Sequence, residues 1–464
     1  MTTGSNLDLI CRKMRYRHIS EAYIQNFLQQ VRRVAESTDR GSVDLSVVRT
    51  PQSNLLLEPP TDPEELRELN ELGQGLLKRV AVIKLNGGRS TTMGGNVPKG
   101  ILIAKDGYSY LEIICRQIEC FRRQNNCQIP LVLMNSFFTN RPTGELLSKI
   151  GFEAVTFVQN RVPRLTIDRL VPLDLGNHED WAPPGHGDVF ESLVDSGVMK
   201  KLLDSGIKWA FISNLDNLAA TVAPWILGMV SREKAQFLLE VTPRTKEDCK
   251  GGTLVVRDDA LELVEIAQVA EKDRELFMDI ENFRVFNTNN VWVDLEATNE
   301  LLSSSRFDLP IIQNKKTIGG HHVVQLETAM GAAIGSFERA RGLVVGRDRF
   351  FPTKKIEDLM VLQSDACVLD SCFNVLRNPK RPLKFSFRPM LTFHRSFLDS
   401  PLDLHKRFED PGSLSLVNAE ALTVFGDVFF ERNVSIQGTV TIAPKDGENY
   451  KIPAGSVLKS GVYP

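Results

Sequence analysis

From Val80 onward the chain alternates short β-rich runs with amphipathic helical stretches, and this alternation restricts the fold more than any other feature. RVAVIKL leads into a glycine-rich loop, then into SYLEIICRQIECFRRQ, where Leu111, Ile114, Ile118 and Phe121 line one helical face, then into PLVLMNS. Further strand runs are EAVTFVQ, KWAFISN, AQFLLEVT, GTLVVRD and NVWVDL, with helices expected near Val189 to Leu203 and Ala329 to Ala340. Strands that alternate with helices specify a predominantly parallel α/β sheet, with the functional site at the strands' carboxyl ends.

The flanks have a different texture. Residues 1 to 79 are charged and helix-forming, with apolar spacings of three and four around Ile24, Phe27 and Val31 and around Leu66, Leu69 and Leu72. Residues 36 to 63 between them have the Ser, Thr, Asp, Gly and Pro of a surface connection. In the last 50 residues Leu416, Leu422, Val428, Val434 and Val440 recur every six positions with Gly426 and Gly438 between them, the mark of a parallel β-helix; an ordinary β-meander is the competing reading. Three parts follow: a helical segment over 1–79, an α/β domain over 80–385 and a β-helix domain over 386–464.

Composition narrows the function. The 464 residues are 42% hydrophobic and 25% charged, as in soluble globular chains, and 56 basic against 58 acidic side chains leave a net charge of −2. A general nucleic-acid binder would need a basic footprint, so nucleic acid is not expected as a partner. No run approaches the roughly 18 apolar residues of a membrane span, and MTTGSNLDLICRKMRYRH lacks a signal peptide's apolar centre; a cytoplasmic address without membrane contact is the expectation. The seven cysteines (Cys11, Cys115, Cys120, Cys127, Cys249, Cys367, Cys372) show no CxxC spacing and read as reduced structural thiols.

Chemistry concentrates in AVIKLNGGRSTTMGGNVPKG, residues 81 to 100. A strand runs into Gly87 and Gly88, passes Ser90, Thr91 and Thr92, then Gly94 and Gly95, and reaches Lys99 behind Pro98. Glycines after a strand let backbone N–H groups approach a phosphate chain, and a lysine beyond them adds a point charge. The pattern is neither a Walker A loop nor GxGxxG. PPGHGD (Pro183 to Asp188) brings backbone and an imidazole to a ligand, ISNLDN sets Asp216 past a buried strand where a carboxylate suits magnesium, and FPTKK presents Lys354 and Lys355. Taken singly, these segments also read as a solvated turn histidine, an Asx turn and a surface lysine pair.

Together the motifs LNGG-x-x-TTMG-x-x-x-PK, PPGHGD, SN-x-DNL-x-ATV, TPRT-x-x-x-x-KGGTL, LVEIAQV, FNTNN-x-W, QLETAMGAAI, F-x-P-x-K-x-x-x-DL and LTVFGDVFFERNVSIQGTV, colinear from about residue 80 almost to the end, resemble the eukaryotic-type UTP–glucose-1-phosphate uridylyltransferases. The resemblance implies a Rossmann-like nucleotidyltransferase domain with a mixed, mainly parallel sheet, a helical N-terminal part and a C-terminal left-handed parallel β-helix; because the end of a β-helix exposes strand edges, a homo-oligomeric contact there is also expected. It implies that UTP and glucose 1-phosphate are joined, with Mg2+ as cofactor, to give a nucleotide sugar and pyrophosphate. Carried over residue by residue, the backbone of Leu85, Asn86, Gly87 and Gly88 holds nucleoside and phosphate, and Lys99 the β- and γ-phosphates. Gln159 and Gly185 read the base edge. His186, Asn214, Gly252, Glu265 and Asn289 surround the sugar phosphate, Asp216 holds magnesium and Lys354 meets the α-phosphate.

The phosphate loop departs from the family pattern, with Arg89 and Ser90 for Leu-Gly, Val97 for glycine and Gly100 for serine. Arg89 and Val97 keep open a second reading, in which the same chemistry serves another nucleotide or a sugar-like cyclitol phosphate. A non-catalytic sugar-nucleotide sensor is a third, opposed by the joint presence of Lys99, Asp216 and Lys354. A hexapeptide acyltransferase, suggested by the repeat alone, is a fourth, and the repeat is too short for it.

Overall fold

The computed structural model describes residues 4–36, 43–90, 93, 97–245, 248, 251–304, 306–445 and 447–464; Thr91, Thr92, Gly94, Gly95 and Cys249 lie outside the described residues. An eight-stranded mixed sheet forms the centre. Its strands are β1 (Leu56–Leu57), β2 (Val80–Asn86), β3 (Leu131–Asn135), β4 (Val155–Val158), β5 (Trp209–Asn214), β6 (Phe237–Pro243), β7 (Val285–Asp294) and β8 (Ala340–Val344), in the spatial order β1-β8-β6-β7-β5-β2-β3-β4. Every neighbouring pair is parallel except the two made by β7, which runs against β6 and β5.

Both faces of the sheet are covered, which is why the central strands read as continuous apolar runs. Alternate residues of β2 enter two cores. Val80 and Val82 pack in one core with α4 (Tyr110–Asn125), α5 (Asn140–Ile150) and α8 (Pro224–Arg232), whereas Ala81 and Ile83 pack with α6 (Val189–Asp195) and α7 (Val198–Asp204). The Leu111, Ile114 and Ile118 face expected on α4 is buried, and a full Ser109–Glu112 capping box starts that helix. Helix α3 (Pro63–Leu76) lies directly on α8: a Cβ at Gly73 would fall 1.7 Å from Pro224 O, and one at Gly228 would fall 2.1 Å from Leu69 O. Only glycine permits that approach. Helices α1 (Gly4–Tyr16) and α2 (Glu21–Glu36) form a separate core with Val162, Leu165, Trp181, Val324 and Leu326.

Several expectations change. The helix over Val189 to Leu203 is two helices, broken where Gly197 takes φ +73°. The stretch near Ala329 to Ala340 is a 3-10 helix over Met330–Ser336 that leads into β8. GTLVVRD stands outside the main sheet, as a hairpin of Gly252–Arg257 with Ala260–Glu265. Within the connection over 36–63, Leu56 and Leu57 supply the edge strand β1. The uniformly reduced thiols are also corrected. Cys120 on α4 and Cys372 are joined in a disulfide, with Cα atoms 5.4 Å apart, because the fold sets α4 beside the turn after Cys367–Leu369; Cys11, Cys115, Cys127 and Cys367 are free and buried.

At the C-terminal end Met390–Phe393, Ala419–Val424, Ser435–Ile442 and Val457–Tyr463 form one parallel ladder, and Asp427–Phe430 pairs in parallel with Asn449–Ile452. The aliphatics with six-residue spacing, Leu416, Leu422, Val428, Val434 and Val440, are all essentially inaccessible, and Leu422 lies beside Val440 in the ladder. Gly426 and Gly438, with φ near +70°, make the intervening turns. Among the described residues no helix is long and apolar enough to cross a membrane.

Candidate active site

At the carboxyl ends of β2 and β5 a cavity of about 280 Å3 is lined by Leu85, Asn86, Gly87, Gly88, Lys99, Gln159, Gly185, His186, Asn214 and Asp216, ten of the positions singled out in the sequence, together with Met134, Pro183 and Leu215. The Asn86 Nδ2 is spent underneath the loop, donating to Asn135 Oδ1 at 2.8 Å and Thr143 Oγ1 at 2.7 Å, while its Oδ1 is buried with no hydrogen-bond partner. The loop's limbs are zipped together: Ser90 N–H and Oγ both donate to Val97 O, and Lys99 N–H donates to Gly88 O. Ser90 and Val97, which depart from the family pattern, thus brace the loop.

Gln159 stands behind Gly87 so closely that a Cβ there would lie 2.9 Å from its Nε2. Gly185 has φ +87°, and a Cβ on it would strike Thr328 O at 2.3 Å and Thr328 N at 2.7 Å. Thr328 clamps this loop from both sides, its N–H donating to Pro184 O and its carbonyl accepting Gly187 N–H, each at 2.9 Å. Next in the loop, His186 Nδ1 accepts Met330 N–H at 2.9 Å, which fixes the neutral tautomer with its proton on Nε2. Burial, and then the Lys354 charge, push the imidazole down to about 4, so at neutral pH it is an uncharged donor.

Lys99 Nζ donates to Asp216 Oδ2 at 2.7 Å and to Thr353 O at 2.9 Å, which leaves one of the three ammonium hydrogens for a ligand. Asp216 Oδ1 is buried with no hydrogen-bond partner. Thr353 ties the two segments further, with Tyr110 Oη at 2.5 Å from its Oγ1 and its hydroxyl donating to Asp216 O at 3.3 Å. Asn217 completes the bracket: its Oδ1 accepts Phe351 N–H at 2.9 Å and its Nδ2 donates to Arg349 O at 3.1 Å. Arg349 itself is held by Glu240, a fully buried carboxylate that also accepts from Asn290 Nδ2 and Trp292 Nε1.

The remaining residues form an adjoining wall. Gly252 faces Glu265, where a Cβ would lie 2.7 Å from Oε1, and Asn287 Nδ2 donates to Glu265 Oε1 at 3.4 Å and to Asn289 Oδ1 at 3.0 Å. Asn289 adopts φ +57° at a break in the β6–β7 register, a bulge that turns it out of the ladder. Burial raises the Glu265 carboxyl, while the Lys354 ammonium acts to lower it. The Lys354 charge therefore bears on both His186, in the cavity, and Glu265, in this wall. Tyr110, Asn217, Thr353 and Thr328 escaped the sequence reading, although Asn217, Thr328 and Thr353 lie within motifs it quoted.

Among the described residues no cluster of three or more His, Cys, Asp or Glu side chains could cage a metal. Asp216 Oδ1, with no protein partner, nevertheless suits a hard cation that takes its other ligands from phosphates and water.

The family described as "UTP--glucose-1-phosphate uridylyltransferase" matches residues 24–437. The chain is 38% identical to the UTP--glucose-1-phosphate uridylyltransferase of Musa acuminata, over 96% of this chain and 95% of that protein. It is 37% identical to a probable one of Schizosaccharomyces pombe, over 95% of this chain and 87% of that protein. Its fold is similar to a UDP-glucose pyrophosphorylase mutant of Leishmania major in complex with UDP-glucose, with TM-score 0.88, 32% identity and full coverage of both chains. A Trypanosoma brucei structure described as a UDP-glucose phosphorylase matches with TM-score 0.87, 33% identity and 99% of each chain. On this similarity, from α2 into the C-terminal ladder, the chain belongs to the UTP–glucose-1-phosphate uridylyltransferase family.

Proposed function

We propose that the chain couples UTP to glucose 1-phosphate, giving UDP-glucose and pyrophosphate. The observation that carries this reading is the single cavity in which the glycine loop, Gln159, Gly185, Lys99 and Asp216 converge, with Lys354 acting on its wall. A phosphate oxygen of the sugar phosphate attacks the α-phosphorus in line and pyrophosphate departs; the nucleophile is already an anion, so positioning and charge neutralisation replace acid–base work. The backbone of Leu85 to Gly88 supports nucleoside and phosphates. Gln159 and the Gly185 backbone meet the base edge, and their polar groups go unpaired against a mismatched base. Lys99 neutralises the outgoing phosphates with its third hydrogen. Lys354 stabilises charge on the α-phosphoryl oxygens, and His186 donates Nε2–H without adding charge. Asn214, Gly252, Glu265 and Asn289 surround the sugar phosphate. A bound Mg2+, held by Asp216 Oδ1, supplies further charge neutralisation on the phosphates.

We read the C-terminal ladders as coils of a left-handed parallel β-helix whose last strand, Val457–Tyr463, offers an open edge to a second copy of the chain. A domain division at 1–79, 80–385 and 386–464 goes with that reading. The test is pyrophosphate release across the four nucleoside triphosphates and a panel of sugar and cyclitol 1-phosphates. UTP with glucose 1-phosphate is expected to give the highest kcat/KM. Another pair winning by more than about tenfold, some 1.4 kcal/mol of transition-state preference, overturns the substrate assignment.

A further inference from the structure

A second cavity, of about 490 Å3, lies across Gly87, Gly88 and Pro183 from the nucleotide pocket and shares those three residues with it. The proposed reaction uses none of its other walls. Three cations reach it, Arg89, Arg164 and Lys316, with two carboxylates, Glu179 and Glu327, and the amide of Gln325. Gln325 is 1% exposed and its Oε1 has no hydrogen-bond partner. Arg164 donates through Nη1 to the Glu179 and Trp181 carbonyls, while its Nε is buried with no partner. An occupant offering a hydroxyl to the Gln325 amide and an oxygen to the Arg164 guanidinium would supply partners of the kind these two side chains lack.

The lining selects among ligand classes. A nucleobase would stack on an aromatic face, and a guanidinium already lies over each of these rings: Arg89 3.9 Å from the Phe138 centroid, Arg161 4.8 Å from that of Phe137 and Arg17 5.9 Å from that of Trp181. A bare polyphosphate would face Glu179 and Glu327 and leave the Gln325 acceptor unpaired. A sugar phosphate meets both demands, its phosphate facing the cations and its hydroxyls the carboxylates and amide.

We propose that this cavity is a second ligand site, one that binds a sugar phosphate beside the nucleotide pocket. Its occupant adjusts nucleotide affinity along a short path. The strand carrying Gln325 and Glu327 continues into Thr328, which clamps Pro184 and Gly187 on either side of Gly185 and His186.

Glucose 6-phosphate is a suitable probe because its phosphate is on the wrong carbon for the reaction. Calorimetric titration of this probe into the chain saturated with UDP-glucose should show one bound per chain. Both Lys316→Glu and Gln325→Leu should weaken it at least tenfold, about 1.4 kcal/mol, with UDP-glucose binding unchanged in the former. Glucose and inorganic phosphate, titrated separately, should each bind far more weakly. The proposal is overturned by no binding up to about 10 mM, or by equal binding in both variants. Phosphate binding as tightly as the probe marks a bare-anion site and also overturns it, as does displacement of UDP-glucose by the probe. UDP-glucose binding, read on the same samples, tests the proposed function separately, and should it fail, titration of the ligand-free chain still decides this site.

Discussion

Asn217 offers a direct test of how the site is held. It is 1% exposed and adjacent to Asp216, and its amide fastens the 349–354 segment that ends in Thr353 and Lys354 to the turn that presents Asp216. Asn217→Ala would leave Phe351 N–H and Arg349 O without partners in a buried region. At about 1–3 kcal/mol for each orphaned group, the loss is roughly 2–6 kcal/mol before relaxation returns part of it. A displacement of the segment by about 1 Å would move Lys354 away from the α-phosphate and lower the rate on the order of 100-fold. Steady-state pyrophosphate release, measured well below the melting temperature, should show kcat falling while KM for UTP changes little, because the glycine loop, Gln159 and Gly185 are untouched. Asn217→Asp keeps the acceptor for Phe351 and loses the donor to Arg349, so its kcat should fall between those of the parent and the alanine variant. A folded Asn217→Ala enzyme with kcat within about threefold of the parent refutes this account of how Lys354 is positioned.

Lys354→Ala is expected to lower kcat at least about 100-fold, the scale of losing one charge-stabilising donor, with Lys355→Ala within a few-fold of the parent; the reverse pattern in the same kinetics would move the α-phosphate role to Lys355. Asp216→Asn should raise the Mg2+ concentration needed for half-maximal rate, since an amide is a poorer ligand for a hard cation, and a magnesium titration of initial rates reads this directly. Glu191, raised to about 7 by burial and then by Asp188 and Asp195, has its folded value above its unfolded one. The stability it contributes is complete at low pH and is lost as pH rises through about 7. Glu191→Gln should therefore melt higher than the parent at pH 8 and alongside it at pH 4, and parallel melting curves at both pH values would contradict the assignment.

Local chemistry made much of the fold legible. The strand runs at 80, 131, 209, 237 and 291 fall in the main sheet because burial on both faces requires unbroken apolar sequence. The glycine loop and the Gly185 turn were readable because a close backbone approach or a positive φ restricts residue type. What escaped depends on partners distant in the chain. GTLVVRD has a core strand's composition and pairs elsewhere, and nothing near Cys120 signals Cys372. Thr353 and Asn217 read as ordinary polar residues until the 349–354 segment lies against the 216–221 turn. Asn289 was located by resemblance, and only the bulge shows why its side chain leaves the ladder.

The edge strand β1 sets an order of events for a growing chain. Among the described residues Leu56 and Leu57 pair only with Gly342 and Leu343, so this stretch leaves the ribosome well before its partner and waits for one of the last parts of the sheet to be made. Until then α3 can dock on α8 only after Pro224 to Arg232 has emerged, and the sheet must grow outward from β2, β3 and β4, whose parallel partners are close in sequence. Closing so long a loop costs entropy before any contact compensates it, which makes the arrival of β1 a late and slow step. An early pause in synthesis therefore exposes a bare β-edge, whereas a pause after residue 344 leaves a finished sheet that still lacks its C-terminal ladder.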